Sequence, residues 1–295
     1  MTPIRALPDS GWVISADGAQ MAHWTEDAAG AELHITEFGG GDRLVATFRG
    51  LRAGGIAWAV GGTGLLVALA EPPAAQARIL MAVEISTGMT REVYRGIGPS
   101  GASVVPLVWR RDPDMFAAYE TGPGGYNFGY TVIRPGQATV RTEPDDQVIG
   151  MTASSDGSLV VGFWLFDNII RVWPVDNFAK KTELKPVASE QFANPRWWPD
   201  RLEIAFAAGR LADGGWRDTR IERWDPLTGA RSVLKRLPDA VGSFGGFLVR
   251  ADGSGLLTQG PYPPGGWEVM DLRTGAITVI PQKPGENILR TVLIK

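Results

Sequence analysis

The chain of 295 residues has no cysteine. Disulfide frameworks, thiolate metal sites and cysteine nucleophiles are therefore excluded. Histidine is nearly as scarce, with two copies, His23 and His34. Any metal site would have to be built from oxygen and imidazole donors. No stretch approaches the run of about 18 apolar residues that a transmembrane helix needs. Neither sign of charge dominates. Lys and Arg number 29, Asp and Glu 32, and the formal net charge is -3. The signs are interspersed, which gives no electrostatic case for nucleic acid or an anionic membrane as partner. The segment Met1 to Trp12 lacks the apolar core of a signal peptide. The expectation is a cytoplasmic protein, or an extracytoplasmic one if the chain is a mature or trimmed form. Helical periodicity is almost absent.

What is present is glycine (38) and proline (21), spread between short apolar runs. That distribution reads as turns between strands. One turn recurs: Glu84-Ile85-Ser86-Thr87-Gly88, then Asp225-Pro226-Leu227-Thr228-Gly229, then Asp271-Leu272-Arg273-Thr274-Gly275. It alternates with an Asp-Gly type of turn at Asp17-Gly18, Asp156-Gly157 and Asp252-Gly253, with substitutes at Gly62-Thr63-Gly64, Asp112-Pro113-Asp114 and Pro199-Asp200. Glycine tolerates positive φ there, and aspartate can bond the turn backbone. Six turns of each kind, counting substitutes, divide the chain into six four-stranded units, A to D. They span about 11–50, 55–96, 102–144, 147–188, 193–237 and 244–281. A strand–turn–strand repeat of 40–50 residues is the mark of a β-propeller. The expected fold is all-β, a six-bladed β-propeller in one domain. One or both termini, Thr2–Pro8 and Asn287–Lys295, are expected to act as closure strands that protect the ring from an open edge.

These repeats resemble those of TolB-like propellers, built from WD40-like (PD40) units. The residues that carry the resemblance are Ser154-Ser155-Asp156-Gly157-Ser158-Leu159 and the Asp-x-x-Thr-Gly turn at Asp271–Gly275. True WD40 repeats differ, since Trp224-Asp225 is the only Trp-Asp pair. The resemblance implies a six-bladed ring and a role in protein interaction, and transfers no binding site.

Motifs for catalysis are sparse. There is no Gly-x-Ser-x-Gly elbow, and Gly61-Gly62-Thr63-Gly64 lacks the lysine of a phosphate loop. The A strands read as apolar or aromatic, without His, Asp or Glu, which argues against a metal site in the channel. His23 and His34 could face each other across one hairpin, with Glu26, Asp27 or Glu32 as a third group. Half-exposed strand residues are the simpler account of them. No catalytic residue, metal or cofactor is assigned. Three B–C connections are long, aromatic and glycine-rich, and they hold Tyr126 and Phe128, Trp216 and Arg217, and Tyr262 and Trp267. Aromatic and arginine side chains sharing one face are what binding hot spots use. The expectation is a monomeric, non-catalytic scaffold that binds a protein or peptide through that face. The alternative is a hydrolase or lyase with its site at the channel mouth, using acids such as Asp213, Asp218 and Glu120.

Overall fold

In a computed structural model, residues 11–280 are described except 75, 97–101, 123–126, 143–147, 165–167, 213–214, 238–239, 242–246, 251 and 260–266. The proposed closure segments lie outside the described residues. Blade one holds β1 (Trp12–Ile14), β2 (Gln20–Asp27), β3 (Gly30–Glu37) and β4 (Asp42–Arg49). Blade two holds β5 (Arg52–Trp58), β6 (Gly64–Ala70), β7 (Ile79–Glu84) and β8 (Thr90–Arg95). Blade three holds β9 (Ser103–Arg111), β10 (Asp114–Thr121), β11 (Asn127–Ile133) and β12 (Val140–Thr142). Blade four holds β13 (Val148–Ala153), β14 (Leu159–Trp164), β15 (Ile170–Pro174) and β16 (Thr182–Leu184). Blade five holds β17 (Glu190–Trp197), β18 (Ile204–Ala212), β19 (Gly215–Trp224) and β20 (Arg231–Arg236), with the short β21 (Ala240–Val241) added beside β19. Blade six holds β22 (Phe247–Val249), β23 (Gly255–Gln259), β24 (Trp267–Asp271) and β25 (Ile277–Ile280). Each blade is an antiparallel sheet in chain order, and the whole is a six-bladed β-propeller.

The turns form for local reasons. In blade one Ser15 Oγ donates to Asp17 Oδ1 (2.6 Å), which also accepts the Ala19 amide (3.0 Å), while Gly18 takes φ +70°. Blade four repeats this with Ser154, Asp156, the Ser158 amide and Gly157 at φ +66°. In the Thr-Gly turns, Asp225 and Asp271 each accept two amides, from Leu227 and Thr228 and from Arg273 and Thr274.

The inner B strands are buried on both faces, so they read as apolar runs. All seven residues of β6 are buried. Leu65, Val67 and Leu69 pack with Trp24, Leu33 and Ile35 of blade one, and Leu66, Ala68 and Ala70 with Trp109 and Phe116 of blade three. The same alternation joins blades three and four around Tyr130 and Trp173, four and five around Phe192 and Phe206, and five and six around Trp198 and Phe247. Trp24, Trp109, Trp173 and Trp224 are core residues, as blade packing requires.

Two sequence expectations change. The first strand of blade five begins at Glu190, not near residue 193, so the A strands do contain an acid. Glu190 is 5% exposed. It is held by Arg231 (2.8 Å) and Arg220, and both arginines also bind Glu222, itself 3% exposed. The buried carboxylate belongs to a blade-internal ion cluster. The B–C connection of blade five is also shorter than expected. Leu211 pairs with Trp216 and Ala212 with Gly215, so the hairpin runs on to residues 213–214, and Trp216 and Arg217 are strand residues.

Candidate functional site

The first strands of successive blades, β1, β5, β9, β13, β17 and β22, lie side by side in that order. A cavity of about 670 Å³ opens against four of them. Its wall includes Val13, Ala57, Val108 and Thr152, with Ser15, Asp17 and Ser154 toward the A–B turns. The six A–B hairpins share one register. Val13 pairs with Ala22, Ala57 with Leu66, Val108 with Ala117, Thr152 with Val161, Arg196 with Ala205 and Leu248 with Leu257. The first member of each pair stands at one level of the ring axis. Four of these six positions line the cavity directly. Two indoles hold this level in place. Trp58 Nε1 donates to the Val13 carbonyl (3.2 Å), and Trp197 Nε1 donates to the Thr152 carbonyl (2.9 Å). Each tryptophan follows its own blade's level residue and reaches the level residue of the blade before.

Arg196 is the one charged side chain at this level. It follows a bulge between Ala193 and Arg196, where Asn194 takes φ +51°. Its side chain is exposed to water, yet surrounding protein desolvates the guanidinium and lowers its pKa. The cavity's Ser15, Asp17 and Ser154 are engaged in the turns. Ser15 Oγ accepts the Gln20 amide (3.0 Å) and Ser154 Oγ the Leu159 amide (3.0 Å). Asp156 is held ionised: burial raises its pKa, but bonds from Ser154 and Ser158 outweigh this and lower it. Among the described residues, no group of three or more His, Asp or Glu could hold a metal ion.

The residues singled out in the sequence are dispersed. Tyr126 and Tyr262 lie outside the described residues, as does Asp213. Phe128 is in β11 and Trp267 in β24, each within a strand and not in a loop. Trp216 and Arg217 are half-buried in β19. The Trp216 ring lies over Gly209 of its own hairpin, where an added Cβ would meet it at 2.8 Å. Asp218 is exposed and ion-paired with Arg210. Glu120 is a strand residue, 1% exposed, held by Arg141 (2.8 Å) and by Tyr94 (3.2 Å). Glu120 is thus a buried, partnered carboxylate that ties blades two and three together.

His23 and His34 do face each other. They are direct cross-strand partners, with stacked rings 5.4 Å apart. Their shared third group is Asp42 of β4, at 3.0 Å from His23 and 2.9 Å from His34. Glu32 touches only His34 (3.4 Å). Glu26 instead caps the Ala53 amide, and Asp27 caps the Ala29 amide. Sequence reasoning missed Arg196. Aligning the six A–B hairpins on a nine-residue spacing between partners would have shown a charge where the other blades carry Val, Ala, Val, Thr and Leu.

No family model matches the chain, and no curated protein matches it by sequence. Its fold does match solved structures. An oligogalacturonate lyase in complex with manganese superposes with a TM-score of 0.67 at 13% identity, covering 91% of this chain and 75% of that one. A periplasmic gluconolactonase from Pseudomonas aeruginosa gives 0.54 at 13% identity, covering 92% and 84%. A chain of a mitotic checkpoint complex gives 0.54 at 15% identity, covering 96% and 85%. At these identities the shared property is the fold.

Proposed function

We propose that this propeller is an enzyme of the hydrolase or lyase kind with its site on the ring axis. The observation that carries the reading is the cavity against the first strands of blades one to four. At about 670 Å³ it falls within the usual 300–1,000 Å³ of small-molecule sites, and it is walled by rigid sheet. Propellers of similar fold act as a lyase on oligogalacturonate and as a gluconolactonase, which makes β-elimination and lactone opening the reactions to try first. Elimination on oligogalacturonate is followed by ultraviolet absorbance of the unsaturated product, and ring opening of gluconolactone by acid release. The wild type is expected to accelerate one of them. Thr152→Trp, which plugs the cavity from an exposed wall position, is expected to abolish that activity. Leu227→Ala, on a remote turn, is expected to leave it unchanged. Turnover that survives the plug would overturn the axial site, and absence of both reactions would overturn the enzyme reading.

A second reading is a scaffold that binds a protein or peptide through the B–C end of the ring. It is favoured by the tip of blade five, where Leu211 is 62% exposed and pairs with the half-buried Trp216. A chain of similar fold in a mitotic checkpoint complex supports this reading.

A further inference from the structure

We propose that Arg196 anchors an anion site on the ring axis and takes the carboxylate or phosphate group of a small organic ligand. The proposal deepens the axial-site reading and rests on it. Three observations carry it. The first is register: Arg196 occupies the level at which Val13, Ala57, Val108 and Thr152 line the cavity. The second is isolation. Among the described residues Arg196 has no carboxylate partner, whereas the more buried Arg141, Arg171, Arg220 and Arg231 pair with Glu120, Glu183, Glu190 and Glu222. A guanidinium that is desolvated and unpaired costs folding free energy unless an anion offsets it. The third is that, among the described residues, the one carboxylate of the cavity lining, Asp17, is bound within its own turn.

The chemistry favours oxyanions. A guanidinium stays charged at any working pH, and its planar fork matches a carboxylate or phosphate in two parallel hydrogen bonds. Val13, Ala57 and Val108, at the same level in blades one to three, are apolar and supply no competing donor. The hydroxyl of Thr152, one blade away at the same level, is a neutral donor for the same group. The fork explains why an arginine would be placed here and not a lysine, which binds as a compact and strongly hydrated point charge.

The test compares wild type, Arg196→Gln and Arg196→Lys as full chains. Melting temperature is measured in acetate, inorganic phosphate and chloride at matched ionic strength. Wild type is expected to gain stability in acetate, in phosphate or in both relative to chloride, and which one does so identifies the group. Arg196→Gln should lose the anion-specific gain and show at least tenfold weaker binding by calorimetry. Arg196→Lys should keep part of it. In chloride, Arg196→Gln should melt at or above the wild-type temperature, because it removes an uncompensated charge. An anion gain of equal size in wild type and Arg196→Gln would overturn the proposal. So would no gain in wild type, or a lower melting temperature of Arg196→Gln in chloride. If these results fail while Thr152→Trp still abolishes turnover, the ligand is neutral and only the anion site falls.

Discussion

Replacing Arg231 by methionine should cost more stability than any other single substitution on the surface of blade five. Two carboxylates, Glu190 and Glu222, are each 4% exposed at the side chain, and two arginines neutralise them. Arg231 donates to Glu190 at 2.8 Å and to Glu222 through two nitrogens, one at 3.1 Å. Burial tends to lower its pKa, but the bonds to Glu222 and Glu190 outweigh this and raise it. Its guanidinium also covers Phe192 and Phe206, at 5.2 and 5.4 Å from the ring centroids. Methionine retains much of the stem packing and removes the charge. Arg220 alone would then face two buried carboxylates. Breaking a buried pair on one side costs about 3–5 kcal/mol. The lower end applies, because a quarter of the Arg231 side chain reaches water. A loss of about 3 kcal/mol is a large share of the 5–15 kcal/mol that typical proteins possess. Equilibrium urea unfolding measures it. The companion variant Arg231→Met with Glu222→Gln restores charge balance and should recover at least about 1.5 kcal/mol, as coupled neighbours do. A single-variant loss under about 0.5 kcal/mol, or strict additivity in the double variant, would refute the reasoning.

Acid stability should depend on Asp42. Burial raises its pKa, but bonds from Thr36, His23 and His34 outweigh this and lower it. A depressed folded value contributes stability above the unfolded pKa of about 3.9, and that stability is lost as pH falls through the folded value. Urea titrations between pH 5 and 2 should therefore show a flatter pH dependence for Asp42→Asn than for wild type, and parallel curves would contradict this. Gly157→Ala should destabilise by about 1–3 kcal/mol. Gly157 takes φ +66°, and a Cβ there would lie 2.7 Å from Val60 and Val108. A melting temperature within a degree of wild type would show that the turn shifts freely.

The legible parts of this fold are those fixed within a few residues. Asp17-Gly18, Asp156-Gly157 and Thr274-Gly275 set their turns through their own side chains and φ values, so six units could be counted from the chain. The run from Leu65 to Ala70 is legible as a strand buried on both faces. Glu190 does not read as a strand residue, because its partners, Arg220 and Arg231, lie 30 and 41 residues further on. From the chain alone Trp216 reads as a loop residue, because Gly209, Gly214 and Gly215 look like turn residues. Cross-strand pairing of Leu211 with Trp216 makes them a hairpin instead. His23 and His34 were legible as a facing pair, since both fall in strands of one hairpin. Asp42 was not, because its approach depends on the register of a third strand. Arg196 carries no local signal at all. Its meaning comes from five equivalent positions in other blades.

The alternation of side chains in strands such as β6 means that no blade owns its core. Each apolar cluster is half one blade and half the next. An excised blade would expose two greasy faces and would have no interior of its own. Chain connectivity, by contrast, matters little to such an object. Opening the backbone at an exposed C–D turn such as 228–229 leaves every shared interface intact. The order in which the blades are encoded is in this sense separable from the shape they make together.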